Sequence, residues 1–244
     1  MSERGKMKNA LTLSVLSVLV TVLLSGCGAT AKFVYPDDIH NLTRLQATPV
    51  YSQTVAVLPF DDSRANSNNS GSIYLFLVPL FPYGYYDNNR PDAARSFVSI
   101  DEFNFNPSED LAKAAAMSLR RSNLFKDAFF TFGGEKNQAD YVLSGNIIST
   151  EYKGRIFSYG LTFVGPVFWL FGAPEGTSTN KLALNFALRD KQNNLIWEYT
   201  ADKSDYMVQW IYYRKGYDAQ MYSKLMEQAM NEAILDLSNK LRNK

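Results

Sequence analysis

The sequence predicts an α+β fold, a mixed or antiparallel sheet with two main helices packed on it, interrupted by two apolar insertions that contain Pro and Gly. Three observations lead there. Thr54–Phe60 is a β-branched and apolar run with large side chains on both parities, as in a central strand. Lys181–Asp190 alternates strictly and is followed, after Lys191-Gln192-Asn193-Asn194, by a second apolar run, Leu195–Tyr199. Two stretches carry helical periodicity, one opening at Pro107 and one running from Asp218 to the end of the chain.

The first strand ends at Asp61-Asp62-Ser63-Arg64. Adjacent carboxylates on an extended chain point to opposite sides, so the Asp pair reads as a solvated turn and not as an acid/base dyad. The first helix takes Asn106 as N-cap and Pro107 as its first residue, with Glu109 and Asp110 at the positive end of the dipole. Leu111, Ala114, Ala115, Met117 and Leu119 form its apolar stripe, and it ends near Ser122-Asn123. A strand follows over Asp140–Thr150. In the hairpin, Leu182, Leu184, Phe186 and Leu188 share one face. Met221, Leu225, Ala229, Ala233, Leu237 and Leu241 then recur every four residues and give the terminal helix a broad buried face.

Composition excludes several functions. With 244 residues, 46% hydrophobic and 20% charged, the chain is too apolar to be disordered. A formal net charge of +1 offers no footprint for nucleic acid. One Cys and one His leave no material for a disulfide framework or a Cys/His zinc site, so no metal and no cofactor are expected. His40 lies in a polar stretch without an orienting partner. Neither a phosphate loop nor a Gly-x-Ser-x-Gly elbow occurs, and Gly133-Gly134 reads as a turn, so the chain is expected not to be an enzyme.

Residues 1–26 read as a leader: Arg4, Lys6 and Lys8 precede an uncharged run from Ala10 to Leu24, closed by Leu24-Ser25-Gly26-Cys27. The run is shorter than the roughly 20 residues a spanning helix needs, which argues against a plain transmembrane anchor with a chance Cys. Leu24, Ser25, Gly26 and Cys27 resemble the lipobox of bacterial lipoproteins. That resemblance implies cleavage before Cys27 and acylation of its thiol and new amino terminus, a palmitate-type membrane anchor. Gly28 stands where, in that family, an Asp favours inner-membrane retention, so the resemblance implies the outer membrane, with the domain facing the periplasm. Removing Glu3, Arg4, Lys6 and Lys8 with the leader turns the formal +1 into a net charge of about −1. Residues 27–50, punctuated by Pro36, Asp37, Asp38, Asn41 and Pro49, read as a lipidated tether, and residues 51–244 as a single periplasmic domain.

The two insertions cover about 73–86 and 156–174, the first uncharged and the second lying between Arg155 and Glu175. Prolines and glycines prevent either from forming a clean spanning helix. One reading packs them on each other as an apolar cap over the sheet. The other makes them a surface for a partner or the bilayer interface, with Phe76, Tyr83, Tyr85, Phe168, Trp169 and Phe171 as the contact residues.

Val-Ala-Val-Leu-Pro-Phe at 55–60, a helix ending in Leu124-Phe125, Ala139-Asp140-Tyr141-Val142-Leu143-Ser144-Gly145 and a late hairpin with a terminal helix together resemble a periplasmic α/β lipoprotein group. That group includes the curli secretion lipoprotein CsgG, the penicillin-binding-protein activator LpoB and the N-terminal domain of TolB. The resemblance spans roughly residues 54–240 and implies a non-catalytic role. Three functions stay open. The chain is an accessory or assembly factor for an envelope complex, with an envelope protein or a second copy as partner. It is instead an oligomeric export-channel component that inserts its apolar segments in the membrane. Or it is a carboxylate-dependent cell-wall hydrolase. Oligomeric state in detergent separates the first two.

Overall fold

The computed structural model describes residues 31–65, 67–71, 84–90, 103–160, 165–213, 217 and 220–243. The strands, in chain order, are β1 (Ala31–Lys32), β2 (Tyr51–Val57), β3 (Asp61–Asp62), β4 (Asn68–Gly71), β5 (Gly84–Asn88) and β6 (Phe103–Asn104). Helix α1 (Pro107–Ser122) and β7 (Phe125–Phe130) follow, then β8 (Tyr141–Ser149) and β9 (Tyr152–Ile156). A short helix α2 (Pro166–Leu170), β10 (Gly176–Asp190), β11 (Leu195–Gln209) and α3 (Met221–Arg242) complete the chain. The class is α+β, as the sequence predicts.

Nine strands form one mixed sheet around the β10–β11 hairpin. Along its other edge β10 meets two strands in succession: residues 176–180 pair with β9, and residues 183–190 with β8. Beyond β8 the order continues through β2 to β7, all parallel, and beyond β9 through β5 to β4, all antiparallel. β2 therefore lies between two strands, and Val55, Ala56 and Val57 are all fully buried. The parallel β2–α1–β7 crossover places α1 on the same face as α3.

The core lies between that face and the two helices. Leu182, Leu184, Phe186 and Leu188 point into it from β10 and meet Leu119, Leu225, Ala229, Met230 and Ala233. Asn123, in the left-handed conformation at φ 54°, closes α1 where the sequence places its end. The core is closed at the flank of β11 by polar links: Trp197 Nε1 donates to Asp236 (2.7 Å), the Tyr199 hydroxyl to Glu232 (3.2 Å), and Lys224 ion-pairs with Asp205.

The expected tether is corrected over its described part. Residues 33–50 form a strap laid across α1 and α3. Asp38 N–H donates to Glu227 Oε1 (2.9 Å), Thr43 N–H to Asn231 Oδ1 (2.8 Å), and Asn231 Nδ2 back to the Asn41 carbonyl (2.7 Å). Leu45 N–H then meets the Ser122 carbonyl and Val50 N–H that of Asn123, at the end of α1. Leu42 is buried, and Phe33, Tyr35, Leu45 and Val50 pack on the core. These apolar side chains are too irregularly spaced to show a period in the sequence, yet they fill the groove between two helices.

The insertions are described in part. Residues 73–83 of the first, including Phe76 and Tyr83, lie outside the described residues, but its last three belong to β5. The second begins at the last residue of β9 and contains α2.

Candidate functional site

Three strand ends meet at one end of the sheet: Ile156 of β9, Gly176 of β10 and Gln209 of β11. The connections that leave there carry much of the exposed aromatic surface. From the β9–β10 connection, Tyr159, Val167, Phe168 and Leu170 are exposed, and Phe171 is 84% exposed. From the β11–α3 connection, Tyr213 and Tyr217 are exposed, and Tyr212 is 72% exposed. The two connections touch: the Tyr212 hydroxyl donates to the Leu170 carbonyl (3.3 Å).

Local contacts hold this end in shape. Trp169 is half-buried and its Nε1 donates to the Phe157 carbonyl (3.0 Å). The Tyr159 hydroxyl donates to the Pro174 carbonyl, and its ring lies 5.9 Å from that of Phe168. At Gly165 an added Cβ would stand 2.2 Å from the Ser158 carbonyl oxygen, so the two limbs of the loop approach as only Gly permits. Beneath, Thr177, Ser178, Asn180, Gln209 and Ser223 are buried, and Gln209 Nε2 reaches Ser178 Oγ at 3.4 Å. A polar layer thus separates this apolar end from the core.

The cap is corrected for Phe168 and Phe171, which are exposed, Phe168 only in part because its ring packs on Tyr159. α2 has five residues, too few to bury a face against the sheet while its ends are tied to the loop. Tyr85 lies on β5, partly exposed beneath the Arg155 guanidinium, 5.6 Å from it. Leu24, Ser25, Gly26 and Cys27 lie outside the described residues. The sequence reading missed Tyr212, Tyr213 and Tyr217. Their signal is the aromatic density of Trp210-Ile211-Tyr212-Tyr213 with Tyr217 after it.

The carboxylates fall elsewhere. Asp61 and Asp62 are not a free turn but the short strand β3, paired with β8. Arg64 Nε and Nη2 each donate to Asp62 at 2.8 Å, Arg90 pairs with the same carboxylate, and the buried Arg64 reaches Thr150 Oγ1 at 2.7 Å. The Arg64 hydrogen bonds hold the Asp62 carboxyl far below the usual carboxylate range. A depressed value stabilises the fold above the unfolded carboxyl's pKa of about 3.9, and that contribution fades as pH falls below it. Asp62→Asn is therefore expected to lower the urea midpoint at pH 7, with the gap from wild type closing as pH drops below 4. A gap that stays constant from pH 7 to pH 3 would refute the pairing. On the open face of the sheet, a hollow lined by Leu58, Val142, Ser144 and Arg189 contains Asp140. The Thr54 N–H and Lys191 hold this carboxyl below its ordinary range as well. Among the described residues, no group of His, Cys, Asp and Glu could hold a metal ion, and no helix is long and apolar enough to cross a membrane.

No protein-family description matches the chain, and neither does any curated protein. Solved structures show distant likeness. A Xanthomonas campestris protein of family DUF330 is 12% identical with a TM-score of 0.40, over 86% of this chain and 92% of its own. A lipoprotein candidate from Caulobacter crescentus is 14% identical with a TM-score of 0.29, over 43% and 70%. An uncharacterised protein is 8% identical with a TM-score of 0.31, over 87% and 99%. At these values the likenesses carry no argument about what the chain does.

Proposed function

We propose that this chain is a non-catalytic, lipid-anchored protein of the bacterial cell envelope, an accessory or assembly factor for an envelope complex. The observation that carries the reading is Leu24-Ser25-Gly26-Cys27 at the end of a short apolar run with Arg4, Lys6 and Lys8 before it. Acylation at Cys27, with Gly28 after it, sends the mature protein to the outer membrane, facing the periplasm. Several acyl chains hold a protein firmly where one does not. The non-catalytic part rests on the sequence, which carries no phosphate loop, no Gly-x-Ser-x-Gly elbow and a single His, His40, in a polar stretch.

Cys27→Ala is expected to abolish palmitate labelling and to leave a precursor longer by 26 residues, read by intact mass. Labelling that persists in this variant would refute the anchor. Cross-linking in detergent then separates accessory factor from channel component, since a large uniform ring would replace the first by the second.

A further inference from the structure

We propose that the aromatic end of the sheet rests in the headgroup region of the bilayer that holds the Cys27 lipid, so that the domain stands end-on on its membrane. The inference rests on the reading of Cys27 as the anchored residue and adds an orientation and a second contact.

The position of the chain start carries the argument. The Phe33 ring stacks on Phe105 at 5.0 Å, and Phe105 on Tyr222 at 5.3 Å, within the first turn of α3. Met221 beside it lies 4.0 Å from Ser178, two residues into β10. The strap runs away from this point, meeting Glu227 and then Asn231 further along α3. Followed backwards, it therefore leads to the aromatic end. Cys27 precedes Ala31 by four residues, a reach of at most about 14 Å. The anchor and the exposed rings thus emerge on the same side of the molecule.

The chemistry of the surface fits this occupant. Between Arg155 and Glu175 the sequence has no charged residue, and the exposed groups there are Val167, Leu170, Phe168, Phe171 and Tyr159, the last with a polar hydroxyl on an apolar ring. Amphipathic rings favour the boundary between headgroups and acyl chains. A tethered domain needs only a weak second contact, because the anchor keeps the rings at high local concentration near the surface.

The test uses the full acylated chain in vesicles of phosphatidylethanolamine and phosphatidylglycerol. Cys27 is blocked by its lipid, so Phe171→Cys and Gln192→Cys each introduce a single free thiol for a nitroxide. Gln192 lies at the turn of the hairpin, roughly 45 Å along β10 from Gly176. Bilayer contact predicts that the label at 171 is relaxed by oxygen and shielded from a water-soluble nickel chelate, while the label at 192 shows the reverse. Equal access of the chelate to both labels would overturn the inference while leaving the anchor intact. A label at 171 shielded from both relaxants would also overturn it, by placing protein on this end. In a Phe168→Ser/Tyr212→Ser background the acylated protein should stay on the vesicles while the label at 171 becomes accessible to the chelate. Loss of vesicle attachment in that background would show that the rings, and not the lipid, hold the protein, against the anchor reading.

Discussion

Phe186→Ala is expected to lose roughly 3–5 kcal/mol of stability, the usual cost of emptying a large buried aromatic site. Phe186 is 1% exposed in the middle of β10, and its ring meets Phe60 edge-on at 5.8 Å. It lies opposite Gly145, where an added Cβ would stand 2.5 Å from the Phe60 ring. The Phe60 ring must give way while it is packed against Phe186, so Gly145→Ala should cost about 1–3 kcal/mol by overpacking. The two changes should couple: with Phe186 removed, the Phe60 ring gains room, and the double variant should be less destabilised than the sum of the singles. Urea midpoints by circular dichroism on the four proteins check this. Strict additivity would show that the three residues do not share one site.

Tyr222→Ala should cost a comparable amount and release a second part of the molecule. The side chain is fully buried, its hydroxyl donates to the Thr150 carbonyl at 2.8 Å, and its ring carries the stack that runs through Phe105 to Phe33 and Tyr35. Tyr222→Phe isolates the hydrogen bond and should lose only about 1 kcal/mol. The Ala variant should lose roughly 3–5 kcal/mol and, under native conditions, show faster amide exchange over residues 38–45 than wild type. Unchanged exchange there would mean that the strap is held by its hydrogen bonds to α3 alone.

The parts of the fold that sequence shows are those where one physical signal dominates. Pro107 after Asn106 starts α1, Asn123 ends it, and the four-residue recurrence from Met221 marks α3. β10 alternates because one face is core and the other open. β7, Phe125-Lys126-Asp127-Ala128-Phe129-Phe130, is not legible: as an edge strand of the sheet it combines a buried Phe125 with charged neighbours and follows no clean period. The second half of β11 is hidden for a different reason. Lys203 and Asp205 lie on the helix flank, where the sequence expects apolar residues, because they pair with Glu232 and Lys224. The aromatic end was half legible. Phe168 and Phe171 stand out in an uncharged run, whereas joining them to Tyr212 requires the β10–β11 register, which brings Gly176 against Gln209.

The strap also sets an order of assembly. Its hydrogen-bond partners on α3 lie 188 to 190 residues further along the chain, so Asp38, Asn41 and Thr43 remain without them until nearly the whole polypeptide exists. The β2–α1–β7 unit, by contrast, closes within about 80 residues of sequence and can form early. The amino-terminal segment is thus the last to dock, held open by the absence of its groove and not by any property of its own. Completion of α3 at the far terminus then draws residues 38–43 down between the helices.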